Sequence, residues 1–476
     1  MLADDSYDAD LGVFLRLREF EFAVLLPRFT TTRWSVLFRP LPKVRRDRSP
    51  LRAGSLGCLV ILMCAALMAS GQAAQSALSL DQCIALAKGA PSSVQRAQDQ
   101  LRGAKFGVRG AKAAFLPNLA IQNTFTYNSP LLYDPNQFSF VALNGVREYT
   151  SVANSSLEVD SSGRLRALYD RADANRQAAE ASVRLSERDL ERSVSMSYYR
   201  LLLTRRLAQT ANENWRTARD FEDRVNRLVE GGEASQADLT KASLEAALLE
   251  RTVHSLELEA ELANHDLASF WTEDTNSHLD LVDVLDDPPA STALIEVPAS
   301  YLNRPELAIF QAEKKGFEAD SRRARSQMLP QLNLNFLYGI DATHVTSRDR
   351  GYAGFVHLNI PVFDFLKARS EQQQFRSLAA QSQIDFQIGQ RLFSKEYQDA
   401  LSSVRDTFAQ IAIADRAVAL AKDNLRLSRL RFEGGEGPAL DVVTAQSSLV
   451  QAQIDYYTTR ANYLNAQLAL KVASGR

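Results

Sequence analysis

EGGEASQADLTKASLEAALLERTVHSLELEAELANHDLASF, residues 230–270, and EGGEGPALDVVTAQSSLVQAQIDYYTTRANYLNAQLALKVA, residues 433–473, are two copies of one pattern. Glu230–Gly231–Gly232–Glu233 recurs as Glu433–Gly434–Gly435–Glu436 at a shift of 203 residues, and Asp238 recurs as Asp441 at the same shift. In the first copy Leu239, Ala242, Ala246, Leu249, Val253, Leu256, Ala260, Ala263, Leu267 and Phe270 alternate steps of three and four. That is the seam of a left-handed coiled coil. In the second copy the same positions hold Val442, Ala445, Leu449, Ala452, Tyr456, Thr459, Tyr463, Ala466, Leu470 and Ala473, so only Thr459 is polar.

Upstream of each copy runs a longer helical pattern without proline, from Leu165 to Glu230 and from Lys367 to Glu433. Some 65 residues at about 1.5 Å each make a rod roughly 100 Å long. The Gly-Gly pair supplies the positive φ that ends one helix and lets the next begin, so each half holds a helical hairpin with its tip at EGGE.

Further upstream, each half has a proline-marked helix that stops at Leu-Pro, from Pro91 to Leu116–Pro117 and from Pro305 to Leu329–Pro330. Beyond each Leu-Pro the side chains alternate with a period of two. Leu119, Ile121, Phe125 and Tyr127 oppose Ala120, Gln122, Thr124 and Thr126; Leu332, Leu334, Phe336, Tyr338 and Ile340 oppose Gln331, Asn333 and Asn335. Returning strands are expected at Tyr149–Val159 and Tyr352–Val362, joined by exposed loops at 129–148 and 341–351. Strands of about ten residues cross a membrane when tilted. No stretch of 18 apolar residues exists, so any span must be made of strands.

Residues 1–74 stand apart. Leu56–Met68 is an apolar stretch behind Arg45, Arg46, Arg48 and Arg52 and ahead of small residues, the order of a secretory signal cleaved near Ala73 or Ala74. Some fifty residues precede it, either from a mis-chosen start codon or as a cytoplasmic extension. Cleavage removes ten Lys/Arg and seven Asp/Glu and leaves a net charge of −5. It also leaves Cys83 alone, so no internal disulfide can form. The expected organisation is an extension with signal at 1–74, a first repeat at 75–271, a linker or equatorial segment at 272–299 containing Asp286–Asp287–Pro288–Pro289, and a second repeat at 300–476.

A mildly acidic chain with mixed signs carries no nucleic-acid footprint. There is no G-x-S-x-G, H-E-x-x-H, P-loop or Rossmann glycine run, and His254, His265, His278, His344 and His357 lack metal-ligand spacing. An enzyme is not expected, nor a cofactor or a metal. Trp215 and Trp271 read as packing residues.

The Pro305-to-Tyr338 helix and strand, the Asn359–Ile360–Pro361–Val362–Phe363–Asp364 strand end, the run from Phe432 through Glu433–Gly434–Gly435–Glu436–Gly437–Pro438 to Gln446, and Tyr463–Leu464–Asn465–Ala466–Gln467–Leu468 resemble the TolC-like outer membrane efflux proteins. The resemblance spans residues 78–474. It implies a mainly α fold with a small β part: long antiparallel hairpins forming a coiled-coil α-barrel, plus four strands given to a trimeric twelve-stranded transmembrane β-barrel. It further implies an outer membrane location reaching into the periplasm of a Gram-negative cell. The implied partners are two further copies, outer membrane lipid, a periplasmic membrane fusion (adaptor) protein and an inner membrane transporter. The implied function is an export tunnel, the outer component of a tripartite efflux or type I secretion system.

Independently of the resemblance, four amphipathic strands leave two unpaired edges that lipid penalises, so other chains must close the barrel. The alternatives are a periplasmic coiled-coil adaptor without a pore, a secreted enzyme on a helical scaffold, and a non-exporting porin.

Asp238 and Asp441, expected about two turns past the tips, are the pore-entrance candidates: carboxylate rings repeated by threefold symmetry would favour cations. An acidic residue early in a helix also simply offsets the helix dipole. Glu230, Gly231, Gly232, Glu233, Glu433, Gly434, Gly435 and Glu436 are candidates for tip and adaptor contact, against the plainer role of solvated surface glutamates. Where several relatives have Tyr, Arg and Asp near this tip, this chain has Phe432, Gly437 and Thr444, so their lock is not carried over. Phe125, Tyr127, Phe336 and Tyr338 are read as ending their strands, where an aromatic girdle belongs.

Overall fold

The structure, a computed structural model, describes residues 77–138, 146–287, 300–346, 348–363 and 365–475. The extension and signal at 1–74, Pro288–Pro289 and the loop centre at 139–145 lie outside the described residues.

The chain opens with α1 (Leu80–Gly89), started by a reciprocal Ser79–Gln82 capping box. Next comes α2 (Ser93–Ala113), which stops before Leu116–Pro117. Strands β1 (Asn118–Tyr127), β2 (Pro130–Leu131), β3 (Asp134–Phe138) and β4 (Arg147–Val159) come after it. The long helix α3 (Arg164–Glu230) begins after Gly163 at φ 76°. The Asp160 carboxylate accepts hydrogen bonds from the first-turn amides of Leu165 and Arg166 at 2.8 and 3.1 Å. Then come α4 (Gln236–Ala268), α5 (Pro305–Ser326), β5 (Gln331–Ala342), β6 (Arg350–Asn359), α6 (Phe365–Glu433) and α7 (Ala439–Ala473).

Helices α3 and α6, of 67 and 69 residues, match the rods expected from the sequence to within two residues. The return strands differ in detail. β4 starts two residues early at Arg147, and a short β2–β3 hairpin occupies part of the expected 129–148 loop. β6 ends at Asn359 rather than Val362, because Pro361 has no amide to give a ladder.

Helix α3 packs on α4, α5, α2 and α7, and α6 packs on α7 and α5. The heptad seams are buried at Ala242, Ala246, Leu249 and Val253 in α4 and at Val442, Ala445 and Leu449 in α7. Gly389 of α6 admits α5 closely: a Cβ there would lie 3.2 Å from the Phe310 ring. At mid-height Leu78 bridges Leu281 in parallel, and the Tyr198 hydroxyl donates to the Val282 carbonyl at 2.7 Å. This pins the residues around Leu78 and the 272–287 segment onto α3, over a core of Cys83, Val194, Leu201, Leu267 and Leu285.

A charged cluster joins α3, α5 and α6. Arg188 donates to both Glu306 oxygens at 3.0 and 2.8 Å, and Arg304 reaches Glu306 at 2.7 Å. Arg304 also pairs with Glu396 and lies 3.8 Å over the Phe393 ring. Burial pushes the Glu306 carboxyl up, but hydrogen bonds from Arg188 and Arg304 outweigh it and hold the pKa down at about 2.

The four long strands form one antiparallel sheet in the order β1-β4-β5-β6. The central pair runs from Val159↔Leu332 to Tyr149↔Ala342, so the sheet is continuous across the two halves. Among the described residues no helix is long and apolar enough to cross a membrane.

Candidate functional site: the paired tips and the open sheet

Both EGGE turns are built the same way. Gly232 and Gly435 have φ of 74° and 72°, so the second glycine of each pair supplies the left-handed residue. In the first tip the Glu233 and Gly232 amides donate to Leu228 and Val229 carbonyls at 2.7 and 3.0 Å; in the second, Glu436 and Gly435 donate to Arg431 and Phe432 at 2.9 and 3.0 Å. These are Schellman closures, which satisfy carbonyls the helix end would leave open.

The two tips share one core. Val225 from α3, Ala242 from α4, Leu425 and Phe432 from α6, and Val442, Ala445 and Leu449 from α7 are all buried in it. Phe221 meets Phe432 edge-on at 5.2 Å. Beyond this core lies a layer of polar side chains. The Gln446 amide donates to Asn214 Oδ1 at 2.9 Å, Asn214 donates to Gln453 Oε1 at 2.7 Å, and Arg429 donates to Gln446 Oε1 at 3.3 Å. Burial, and after it the positive Arg224, lower the Arg429 pKa from its ordinary value. On the rim Arg224 of α3 pairs with Glu433 of α6, and Ser447 of α7 donates to Glu245 of α4 at 2.8 Å.

The structure brings the expected tip residues to one end of the rods, with qualifications. Asp238 and Asp441 each sit at the third residue of their helix, in the first turn rather than two turns beyond. Asp238 accepts from the Ser235 hydroxyl at 2.6 Å, so it also serves as part of a helix cap. Asp441 is half-exposed and 3.9 Å from Arg431. Glu230, Glu233 and Glu436 are exposed, while Glu433 is engaged by Arg224. The Arg224–Glu433 pair and the Asn214–Gln446–Arg429 layer were not read from the sequence. Gln446 next to the seam residue Ala445 was the available signal, a long polar side chain at a position that turns inward.

At the other end, among the described residues, the sheet leaves β1 and β6 unpaired on their outer edges. One face is apolar and uncovered: Leu119, Ile121 and Val356 are 72, 73 and 71% exposed. Phe125 meets Tyr149 tilted at 4.9 Å, and Phe336 stacks on Tyr352 at 6.3 Å. Tyr127 ends β1 as expected, but Phe336 and Tyr338 do not end β5, which continues to Ala342. Both lie within the sheet, Phe336 against the Tyr352 ring and Tyr338 opposite Tyr352 in the register. Among the described residues no group of three His, Cys, Asp or Glu side chains is placed to hold a metal ion.

Comparison with known proteins agrees with this architecture. The chain is similar to the cobalt-zinc-cadmium resistance protein CzcC of Cupriavidus metallidurans, at 22% identity over 80% of this chain and 85% of that one. It is similar to the pyoverdine export outer membrane protein OpmQ of Pseudomonas aeruginosa, at 26% identity over 70% of this chain and 71% of that one. Its fold matches the solved outer-membrane channel OprN with a TM-score of 0.76 at 18% identity, covering 83% of this chain and 89% of that one. It matches CusC with a TM-score of 0.74 at 19% identity, covering 83% and 92%. Residues 84–271 and 298–476 match the family model for outer membrane efflux proteins, and the chain belongs to that family.

Proposed function

We propose that three copies of this chain close a twelve-stranded barrel in the outer membrane and continue it into the periplasm as a helical tunnel. The tunnel is the outer component of a tripartite efflux or type I secretion system. The family is one of outer membrane channels, not of enzymes. The carrying observation is the four-stranded sheet, apolar and exposed on one face and unpaired along β1 and β6. Each unpaired backbone group in hydrocarbon costs several kcal/mol, so an isolated protomer cannot insert. Pairing β1 of one copy with β6 of the next removes both edges at once.

Residues 1–74 are assigned as an extension and signal lost on export, with repeats at 75–271 and 300–476 flanking an equatorial segment at 272–299. The element order supports the two repeats: helix, strand pair, long rod and returning helix occur in each half.

Relatives that are efflux channels imply association with an adaptor and an inner membrane pump. The finer assignment puts Glu230, Gly231, Gly232, Glu233, Glu433, Gly434, Gly435 and Glu436 at the adaptor contact and Asp238 with Asp441 around the entrance. Exposure of these glutamates and the first-turn position of both aspartates support it.

Purified trimer in a planar bilayer should conduct, with cations preferred. Asp441→Asn should lower that preference severalfold while leaving trimer stability unchanged. A monomer as the native species, or unchanged selectivity in the Asp238→Asn/Asp441→Asn double variant, would overturn the reading at its respective level.

A further inference from the structure

The rods change electrostatic character where they meet the sheet. From Gln100 to Tyr133 the chain has no acidic residue, yet α2 there carries Arg102, Lys105, Arg109 and Lys112. Steps of three, four and three place these cations on one stripe of the helix, and all four are exposed or half-exposed. Arg166 near the start of α3, and Lys367 with Arg369 at the start of α6, lie at the neighbouring rod ends, Lys367 and Arg369 exposed. Arg102 is paired with Asp99. Lys105, Arg109, Lys112, Arg166, Lys367 and Arg369 have no ion-pair partner among the described residues. Arg109 and Lys112 lie only over the Phe106 and Tyr169 rings.

Uncovered apolar side chains separate these cations from the strands. Leu116, Val362, Phe363 and Leu366 are 67, 68, 88 and 66% exposed, at the junctions that precede β1 and come after β6. Apolar sheet face, apolar collar and then basic residues succeed one another as hydrocarbon, interface and charged headgroup do in a bilayer leaflet. Lys112 is about 8 Å along the axis from Pro117, and Arg166, Lys367 and Arg369 are within about 8 Å of the starts of their helices. That is about one Debye length at physiological ionic strength, so these four are within reach of headgroup charge. The tip end is of mixed sign, with Glu230, Glu233 and Glu436 exposed alongside Arg227 and Arg431.

We propose that this basic collar binds anionic phospholipid headgroups of the periplasmic leaflet, of the phosphatidylglycerol type, and so fixes the depth at which the channel sits. The inference rests on the membrane reading of the sheet. Phosphate oxygens accept from the ammonium and guanidinium groups while the acyl chains cover Leu116, Phe363 and Leu366.

The test uses the full-length trimer exchanged into equimolar phosphatidylethanolamine and phosphatidylglycerol, with retained lipid read by native mass spectrometry. Wild type should retain phosphatidylglycerol preferentially. Lys112→Gln/Lys367→Gln/Arg369→Gln should reduce the preference on the order of a hundredfold, about fivefold for each surface cation near a charged leaflet. Control substitutions at exposed cations far along the rods, Arg216→Gln/Lys241→Gln/Arg251→Gln, should leave it intact, and the charge-reversed collar should invert it. No preference in wild type, or equal loss in the control, overturns the proposal. So does a change in ion selectivity with lipid retention untouched, which would assign the collar cations to the lumen. A protein that forms no trimer, or joins no vesicle of either charge, instead defeats the channel reading.

Discussion

Glu306→Gln removes the anion shared by Arg188 and Arg304, two side chains only 10 and 7% exposed. The carboxyl is held at about 2, against an ordinary 4.5. At about 1.4 kcal/mol per unit, the folded cluster favours the ionised form by roughly 3 kcal/mol. Breaking a buried ion pair costs a similar amount, about 3–5 kcal/mol. Asp189 and Glu396 remain as partly exposed partners for the two arginines, so a loss of about 2–3 kcal/mol is expected at pH 7. Because the folded pKa lies below the unfolded one, the stabilisation is fully present above pH 4.5 and disappears as pH falls from 4.5 toward 2. Wild type should therefore soften in that window, and Glu306→Gln should lack this component. Denaturant unfolding of the detergent-purified trimer, monitored by helical circular dichroism at pH 7, 4.5 and 3, reads both effects. Equal stability at pH 7, or the same acid sensitivity in the variant, would refute the reasoning. Glu396→Gln, at a position 43% exposed, should cost less than about 1 kcal/mol.

Gly435→Ala should cost about 1–2 kcal/mol by denaturant titration, because φ is 72° while an added Cβ would meet nothing within 4 Å. Gly435→Asn should recover much of that loss. Gln446→Leu should cost about 1–3 kcal/mol by leaving Asn214 without its donor. A double-mutant cycle with Asn214→Leu should show coupling, and strict additivity would argue against the polar layer. Val356→Arg puts a charge on the exposed apolar face of β6 and should cost about 2–4 kcal/mol near mid-membrane. The readout is loss of detergent-resistant trimer from isolated membranes.

The rods and tips were legible because their signals are local and repeated. Absence of proline sets the length of α3 and α6, and a glycine pair can close both helix ends only by one geometry. The strands were legible from alternation, although Pro361 ended β6 before the apolar pattern did. The tip chemistry was harder to read because it is non-local: Arg224 meets Glu433 and Asn214 meets Gln446 across more than 200 residues of chain. Sequence spacing within one helix carries no trace of such partners. Asp238 and Asp441 were found by the repeat, but their first-turn placement depends on where Ser235 and Pro438 start the helices.

Helix α3 is tied a little over a third of the way along by the Arg188 cluster, while its C-terminal end carries the first tip. From Arg188 to Glu230 the helix runs about 63 Å. A tilt of about five degrees about that point carries Glu230 sideways by about 5 Å, the height of one helical turn. Over that length a small change of angle at the level of Arg188 would be magnified at the tip, where the core shared by α3, α4, α6 and α7 would have to move with it.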